Sequence, residues 1–361
     1  MTSLLLQKLV IKIGTNVLSQ EDGHLDHQII SHLVEQMATL AKSGYKVILV
    51  TSGAVGAGRT ILPSLPALNR VEKRQVQAAV GQPRLMQYYQ HYFEQYGLHC
   101  AQVLATKEDF RDRTHYLNMR SCFEAMQKAE IIPIVNENDV VSVSELMFTD
   151  NDELAGLVAT MTGADALMIL SNVDGIYDGP PDNINSKVLH QISAEDDTIQ
   201  RKISPVKSSF GRGGMLTKFR MAQKTARMGI RTYIANGKTK DIVTNIVAGK
   251  SLGTCVQSNN QLSNVKKWMA WTGQQIQGRV YINEGAETKL LRDQSATSLL
   301  PVGITKVEGP FNKGDLLQIM NSQNQAIGVG LAQYDYDTAI KSLGQTGKKA
   351  LIHYDYLYLE K

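Results

Sequence analysis

The 361-residue sequence contains only three cysteines, Cys100, Cys122 and Cys255. They are far apart, with no CxxC pair and no zinc-ligand spacing, which excludes a disulfide framework and suits buried thiols in a reducing compartment. No apolar run approaches the ~20 residues of a membrane span. Leu4-Leu5-Leu6 turns polar at once at Gln7-Lys8, too short a run for a signal-peptide core. A soluble, cytoplasmic protein with no membrane partner is therefore expected. Charge of one sign is also scarce: the net charge of +4 is too small to indicate a polyanion partner by itself. Two nucleotide-binding signatures are missing as well. Gly237-Lys238-Thr239 and Gly249-Lys250-Ser251 have Thr232 and Thr244 where a Walker A loop needs glycine, and no GxGxxG follows the first strand.

What is present is a regular alternation. Residues 9–13 read as a buried strand. Ile29, Ile30, Leu33, Val34, Met37, Leu40 and Ala41 then share one helical face that ends at Ser43-Gly44. Further strands are predicted at 47–50, 99–104, 131–135, 166–170 and 232–235. Helices are predicted at about 71–96, 117–129, 152–162 and 215–228. Such alternation predicts an α/β fold, a mainly parallel open sheet sandwiched by helices. The Val/Ser alternation over 140–148 suggests a hairpin excursion, and 175–210 is polar and turn-rich. The stretch 256–265 is the candidate linker. Beyond it, short strands at 278–282, 303–308, 316–320 and 327–331 predict a small β-rich domain. The expected domains are 1–257 and 276–361, joined by a linker at 258–275.

In open α/β sheets, ligands collect at the C-terminal ends of the strands. Four of those ends here carry Gly and small polar residues: Gly14-Thr15-Asn16, Thr51-Ser52-Gly53-Ala54, Asn136-Glu137-Asn138-Asp139 and Ser171-Asn172. Turn formation explains any one of them, but explains the set less well. Lys12 interrupts an apolar strand just before Gly14. It is either an edge-strand lysine facing solvent or a cation at the sheet's rim that neutralises phosphate oxygens. Gly211-Arg212-Gly213-Gly214 leads into a helix with Lys218 in its first turn, where the helix dipole disfavours a cation unless an anion is bound nearby. Asp150-Asn151-Asp152 starts another helix. Capping accounts for one of these, and the second carboxylate suits holding lysines, Mg²⁺ or a substrate amine.

Taken together, the segments Val10-Ile11-Lys12-Ile13-Gly14-Thr15, Val50-Thr51-Ser52-Gly53-Ala54, Val135-Asn136-Glu137-Asn138-Asp139, Asp150-Asn151-Asp152 and Gly213-Gly214-Met215 with Thr217-Lys218 resemble the amino acid kinase family. Within it, the Asn-Glu-Asn-Asp loop is similar to the glutamate 5-kinases. The tail, including Asp293-Gln294-Ser295 and 298–304, resembles a PUA barrel. The resemblance implies catalytic roles for Lys12, Lys218 and Asp152. It implies glutamate binding by Ser52, Gly53, Asn136, Asp139, Asp150 and Asn151. ATP would be held by Lys12, Gly14, Ser171, Asn172, Arg212, Gly213, Gly214, Met215, Leu216, Thr217 and Lys218. The family commonly has Thr-Asp at 171–172, a basic residue at 147 and Gly at 149, where this chain has Ser171-Asn172, Met147 and Thr149.

The implied reaction is ATP-dependent phosphorylation of the L-glutamate side-chain carboxylate, the first step of proline synthesis. Mg²⁺ would be bound mainly through the ATP phosphates, with no dedicated metal site on the chain. The resemblance also implies inhibition by proline, a homodimer or homotetramer, and delivery of the acyl phosphate to a glutamyl phosphate reductase. Another acceptor of the same fold class, such as aspartate, acetylglutamate, carbamate or a nucleoside monophosphate, is the first alternative. RNA binding through the tail is the second. Residues 259–361 carry 11 Lys and Arg against 9 Asp and Glu, thin for a phosphate-binding surface. Tyr334, Tyr336, Tyr354, Tyr356 and Tyr358 alternate as strand residues would, and core packing is their simpler expectation.

Overall fold

Eight strands of the first unit form one sheet: β1 (Lys8–Ile13), β2 (Lys46–Val50), β3 (His99–Ala105), β4 (Ile131–Glu137), β5 (Ala166–Ser171), β6 (Gln191–Ser193), β7 (Arg231–Asn236) and β8 (Thr254–Gln257). Their order is β3-β4-β2-β1-β5-β7-β8-β6, and every neighbouring pair is parallel except β7 with β8. The computed structural model describes residues 6–20, 22–141, 148, 150–180, 183, 185–201, 203, 214–257, 276–292 and 297–359. The chain divides into two units, Met1–Gln261 and Leu262–Lys361.

The helices of the first unit are α1 (Thr15–Leu18), α2 (His27–Lys42), α3 (Ala54–Ile61), α4 (Arg70–Glu94), α5 (Lys107–Arg111), α6 (Arg113–Lys128), α7 (Asn151–Thr162), α8 (Met215–Arg227) and α9 (Ile242–Val247). The apolar periodicity of α2 buries Ile30, Leu33, Val34, Met37 and Leu40. Asp26 caps the helix by accepting from the Gln28 and Ile29 amides, and Gly44, at φ +89°, ends it. This face packs with Leu9, Ile11 and Ile13 of β1 in the main core. Two glycines set the approach of α3 to α4. A Cβ on Gly58 would lie 1.7 Å from the Gln77 carbonyl oxygen, and one on Gly81 would lie 1.9 Å from that of Ala54. The two backbones therefore touch, and any side chain at either position would push α4 away from the end of β2.

Placing β1 in the middle of the sheet removes the edge-strand reading of Lys12, which pairs in register with Val50 on one side and Ile169 on the other. The polar stretch after 175 hides the three-residue strand β6. Val256 and Gln257, read from sequence as the start of the linker, are instead the last residues of β8. The rest of that linker, 258–275, and positions 142–147 of the expected hairpin lie outside the described residues, as do Met147 and Thr149.

Among the described residues of the second unit are five strands, β9 (Gly278–Ile282), β10 (Ile304–Glu308), β11 (Leu316–Met320), β12 (Ala326–Ala332) and β13 (Ile352–Leu359), with α10 (Glu284–Arg292) and α11 (Tyr336–Ser342). The order is β10-β9-β11-β12-β13, antiparallel except for β9 with β11. Val280, Ile282, Leu317, Ile319 and Ile352 belong to its own core. The tyrosine expectation needs correction. Tyr334 and Tyr336 pack on that core, and Tyr336 begins a helix. On β13 it is Leu357 that is buried, while Tyr354 is exposed and Tyr356 and Tyr358 are half-buried.

Candidate active site

The order β4-β2-β1-β5 sets four parallel strands side by side, so their C-terminal ends form one rim. Asn136 closes that rim on β4, Thr51-Ser52 follow β2, Lys12 and Gly14 lie at the end of β1, and Ser171 ends β5. The two other predicted segments reach the same rim as helix N-termini, Asp150-Asn151-Asp152 on α7 and Gly214–Lys218 on α8.

At its centre is one carboxylate shared by two ammonium groups. Lys12 Nζ lies 2.6 Å from Asp152 Oδ1, and Lys218 Nζ donates to Asp152 Oδ2 at 2.7 Å. Asp152 is fully buried, and the Lys12 and Lys218 side chains are 5% and 13% exposed. Burial alone would push the Asp152 carboxyl up, but the two lysines outweigh it and hold the group well below the usual carboxylate range. Burial, together with the Lys218 charge, pulls Lys12 down. Lys218, against the same burial, is held up by Asp152. Two cations on Asp152 leave that trio with a net positive charge, which the nearby Asp150 carboxylate offsets when ionised, and each ammonium has N–H donors beyond the one Asp152 takes. Asp152 also explains how a lysine is tolerated in the first turn of α8. Gly14 keeps the space beside this pair clear, since a Cβ there would lie 3.3 Å from Lys12 Nζ.

Asp150 caps α7, its Oδ1 accepting from the Asp152 and Glu153 amides at 3.0 and 3.1 Å. Its Oδ2 is buried with no hydrogen-bond partner among the described residues. Burial and the neighbouring Asp152 push its carboxyl up to about 6.

Beside the lysine pair runs a chain of amides. Asn151 Nδ2 donates to the Thr51 carbonyl, to Ser52 Oγ and to Asn136 Oδ1, at 2.6, 3.1 and 2.9 Å. Asn136 Nδ2 donates to Gln82 Oε1, and Gln82 Nε2 to Gln102 Oε1, each at 2.9 Å. The fold thus brings Ser52, Asn136 and Asn151 into one network. Gly53, at φ +104°, allows the chain to turn there from β2 into α3. Asp139, the remaining member of the set, is held by Arg74 of α4.

The residues expected from sequence to hold a nucleotide are less fully described. Ser171 is buried and Asn172 exposed, and their side chains approach only to 3.5 Å. Gly214 is the N-cap of α8, and Met215, Leu216 and Thr217 are half-buried in its first turn. Arg212 and Gly213 lie outside the described residues. Sequence reasoning missed Arg74, Gln82 and Glu137. Gln82 carried a readable signal: it falls on the same helical face as Ala78, Leu85 and Met86, a polar residue at a core position.

Comparison with known proteins bears on the family and the fold. The sequence profile of the Amino acid kinase family matches residues 7–236, and that of the PUA domain matches residues 278–351. A protein of Chlorobaculum tepidum named glutamate 5-kinase is 48% identical over 353 residues, 98% of this chain and 97% of that protein. One of the same name from Bacteroides thetaiotaomicron is 46% identical over 356 residues, 98% of each. Among solved structures, the isopentenyl phosphate kinase of T. acidophilum superposes with a TM-score of 0.51 at 16% identity, over 70% of this chain and 100% of that one. At that identity the likeness concerns the fold alone.

Proposed function

The chain belongs to the amino acid kinase family, in its glutamate 5-kinase branch with an appended PUA domain, and from that premise we propose that it transfers the γ-phosphoryl group of ATP to the side-chain carboxylate of L-glutamate. The observation that carries this reading is the Lys12–Asp152–Lys218 cluster. A glutamate side chain, with a pKa near ~4.3, is already ionised at neutral pH, so the reaction needs no general base. Nucleophile and γ-phosphate are both anions, and what the enzyme must supply is alignment and positive charge. Lys12 and Lys218 supply the charge from either side of Asp152, and Asp152 fixes both ammonium groups before substrate arrives.

Ser52, Asn136 and Asn151 offer donors and acceptors for glutamate, with Gly53 admitting the chain turn that presents them. Asp139 and Asp150 offer carboxylates for its ammonium group. Ser171, Asn172 and the first turn of α8, with Arg212 and Gly213 preceding it, are the proposed nucleotide contacts. Mg²⁺ is proposed to arrive on ATP and to offset phosphate charge. Among the described residues no group of three or more His, Cys, Asp and Glu side chains converges to hold a metal. The partnerless Asp150 Oδ2 is one acceptor suited to a water of the ion's shell.

The acyl phosphate product hydrolyses readily, which favours delivery to a reductase acting next toward proline. We place the enzyme in the cytoplasm as a homo-oligomer, dimer or tetramer, inhibited by proline at the glutamate pocket. Among the described residues no helix is long and apolar enough to cross a membrane. The test is ADP release with Mg²⁺ and ATP, with and without L-glutamate, trapping the product as a hydroxamate. Glutamate-dependent turnover is expected. Turnover only with another carboxylate or a phosphate acceptor would overturn the substrate, and turnover unchanged in saturating proline would remove the inhibition.

A further inference from the structure

A cavity of about 480 Å³ opens between the turn after α1, the start of α2, and helices α3 and α4. That volume lies in the range of small-molecule sites. The turn is held by its own bonds. Ser19 bridges Leu25, the Gln20 amide donates to the His24 carbonyl at 2.8 Å, and the His24 amide donates to Asp22 Oδ1 at 2.9 Å. It brings the exposed Asp22 and His24 and the buried Leu25 to the cavity.

The lining divides by chemistry. Leu25 and Ala57 are buried, whereas Ile61 is 44% exposed, an isoleucine left open to water on a cavity wall. Beside them stands one cation, Arg84 of α4. Its guanidinium lies over the Tyr88 ring, 5.0 Å from the ring centre, and Nη1 donates to Gln87 Oε1 at 2.7 Å. Among the described residues no carboxylate pairs with Arg84, and no acceptor takes its Nε or Nη2 protons. His27 meets the same ring at right angles, 4.3 Å between centres, and its Nδ1 lies 3.3 Å from the Tyr92 hydroxyl, so Nε2 is the nitrogen left over. Tyr88 thus holds an arginine and a histidine in place, which lowers the ordering cost of taking a ligand.

Charge and shape narrow the ligand. Arg84 brings one positive charge and Asp22 one negative charge, so a dianion would be poorly compensated. A monoanion suits better, and Nε with Nη2 is the edge of the guanidinium whose parallel N–H groups match the two oxygens of a carboxylate. Leu25, Ala57 and Ile61 call for hydrocarbon.

We propose that this cavity is a binding site for a small organic monocarboxylate with an apolar body, its carboxylate on Arg84 with His24 and His27, its hydrocarbon on Leu25, Ala57 and Ile61. None of the lining residues belongs to the lysine cluster or to the amide chain. The cavity is nonetheless near the acceptor end of the rim, for a Cβ on Gly53 would lie 3.3 Å from Leu25 Cδ2. Leu25 separates the two spaces, and occupancy of this one does not depend on which acceptor the kinase centre takes.

Ligand-observed NMR on the full chain tests this, with isocaproate as the probe and isocaproamide as its uncharged counterpart of the same shape. Isocaproate is expected to bind saturably with a Kd of about 1 mM, ordinary for so small a ligand. The amide binds at least about tenfold more weakly. Arg84→Gln weakens isocaproate by about tenfold to a hundredfold, the range for losing a charged hydrogen bond. Ile61→Ser weakens it by about threefold, for part of one apolar side chain. Both positions are exposed, so both variants keep the parent's fold and turnover. Saturating L-glutamate and ATP leave the probe bound. Absence of saturable binding overturns the site, as does equal binding of the amide or equal binding by Arg84→Gln. Displacement by glutamate or ATP overturns it too, because the probe then sits in the kinase cleft. Inorganic phosphate that competes at the probe's own concentration overturns the ligand class, since the cavity would then serve a dianion.

Discussion

Both units carry exposed ion pairs, but among the described residues the buried ones lie in the kinase unit. Among the described residues of the kinase unit, the shortest pairs lie at the sheet's rim, Lys12 and Lys218 on the buried Asp152 and the half-buried Arg74 on the buried Asp139. In the PUA unit, the pair Lys306–Glu308 lies at 2.5 Å with side chains 62% and 36% exposed. Contact distances are nearly the same, so distance does not separate the two regions. Desolvation does: a buried charge costs several kcal/mol unless it is paired, whereas an exposed pair is worth ~0–1 kcal/mol. A chain that tolerates the first kind along one rim, and keeps the second kind at the surface elsewhere, has concentrated its electrostatic strain where an anionic reaction is expected.

The largest test of that contrast is removal of one cation from the rim. Lys218→Ala or Lys12→Ala is expected to lower kcat by ~10²–10³, the range for losing one well-placed charge donor. Single-turnover measurement with saturating glutamate and ATP reads the chemical step directly. A loss below about fivefold, well short of that range, would mean that the phosphoryl group is stabilised from elsewhere.

Asp152→Asn comes next, and it separates stability from catalysis. It leaves two buried ammonium groups facing a neutral amide, so both activity and stability should fall. Breaking a buried pair from one side costs ~3–5 kcal/mol, which urea unfolding at pH 7 would record. A variant as stable as the parent would show that the lysines escape to solvent when released.

Much of this rim was legible in the sequence because each member breaks a local rule. Lys12 interrupts the apolar run of residues 9–13. Lys218 stands where a helix dipole repels it, and Asp150 and Asp152 crowd one helix start. What the sequence could not convey is that Asp152 answers both lysines at once, since 140 residues of strand and helix separate Lys12 from Asp152 in the chain. Arg74 was hidden for a different reason. On a long helix rich in Lys, Arg and Gln, a cation reads as part of the solvated face, and its partners on β4 and the loop after it are 63 and 65 residues away in the chain. The short strands β6 and β8 escaped because three or four residues carry too little periodicity to stand out from polar loop.

A smaller effect concerns pH. Glu137 has its folded-state pKa raised to about 7 from an ordinary 4.5. Below 4.5 it is protonated in both states and adds no cost. As pH rises toward 7 the unfolded chain releases the proton first, so stability falls across that window and the cost is complete above it. Glu137→Gln should therefore gain on the parent between pH 5 and pH 7.5, by on the order of 2 kcal/mol. Asp152 runs the other way. Its folded pKa is lowered, so its contribution is present above its ordinary 3.8 and is lost only in stronger acid. Parallel stability curves for parent and Glu137→Gln would show that Glu137 stays ionised, with Arg74 compensating it in full.

The smallest expected effect is the sharpest check on whether environment rather than geometry decides. Lys306 donates to Glu308 at 2.5 Å and sits 5.2 Å from the ring centre of Tyr281, whose hydroxyl also donates to Glu308. By contact distance it should matter as much as Lys12. Being solvated, it should not: water and salt replace the partner that is removed. Lys306→Ala is expected to leave glutamate turnover unchanged and to shift the melting temperature by about 1 °C or less, a shift that vanishes at high salt. A larger, salt-insensitive fall would mean that the pair is shielded from water in the working protein. The distinction between the two units would then be one of assembly rather than of fold.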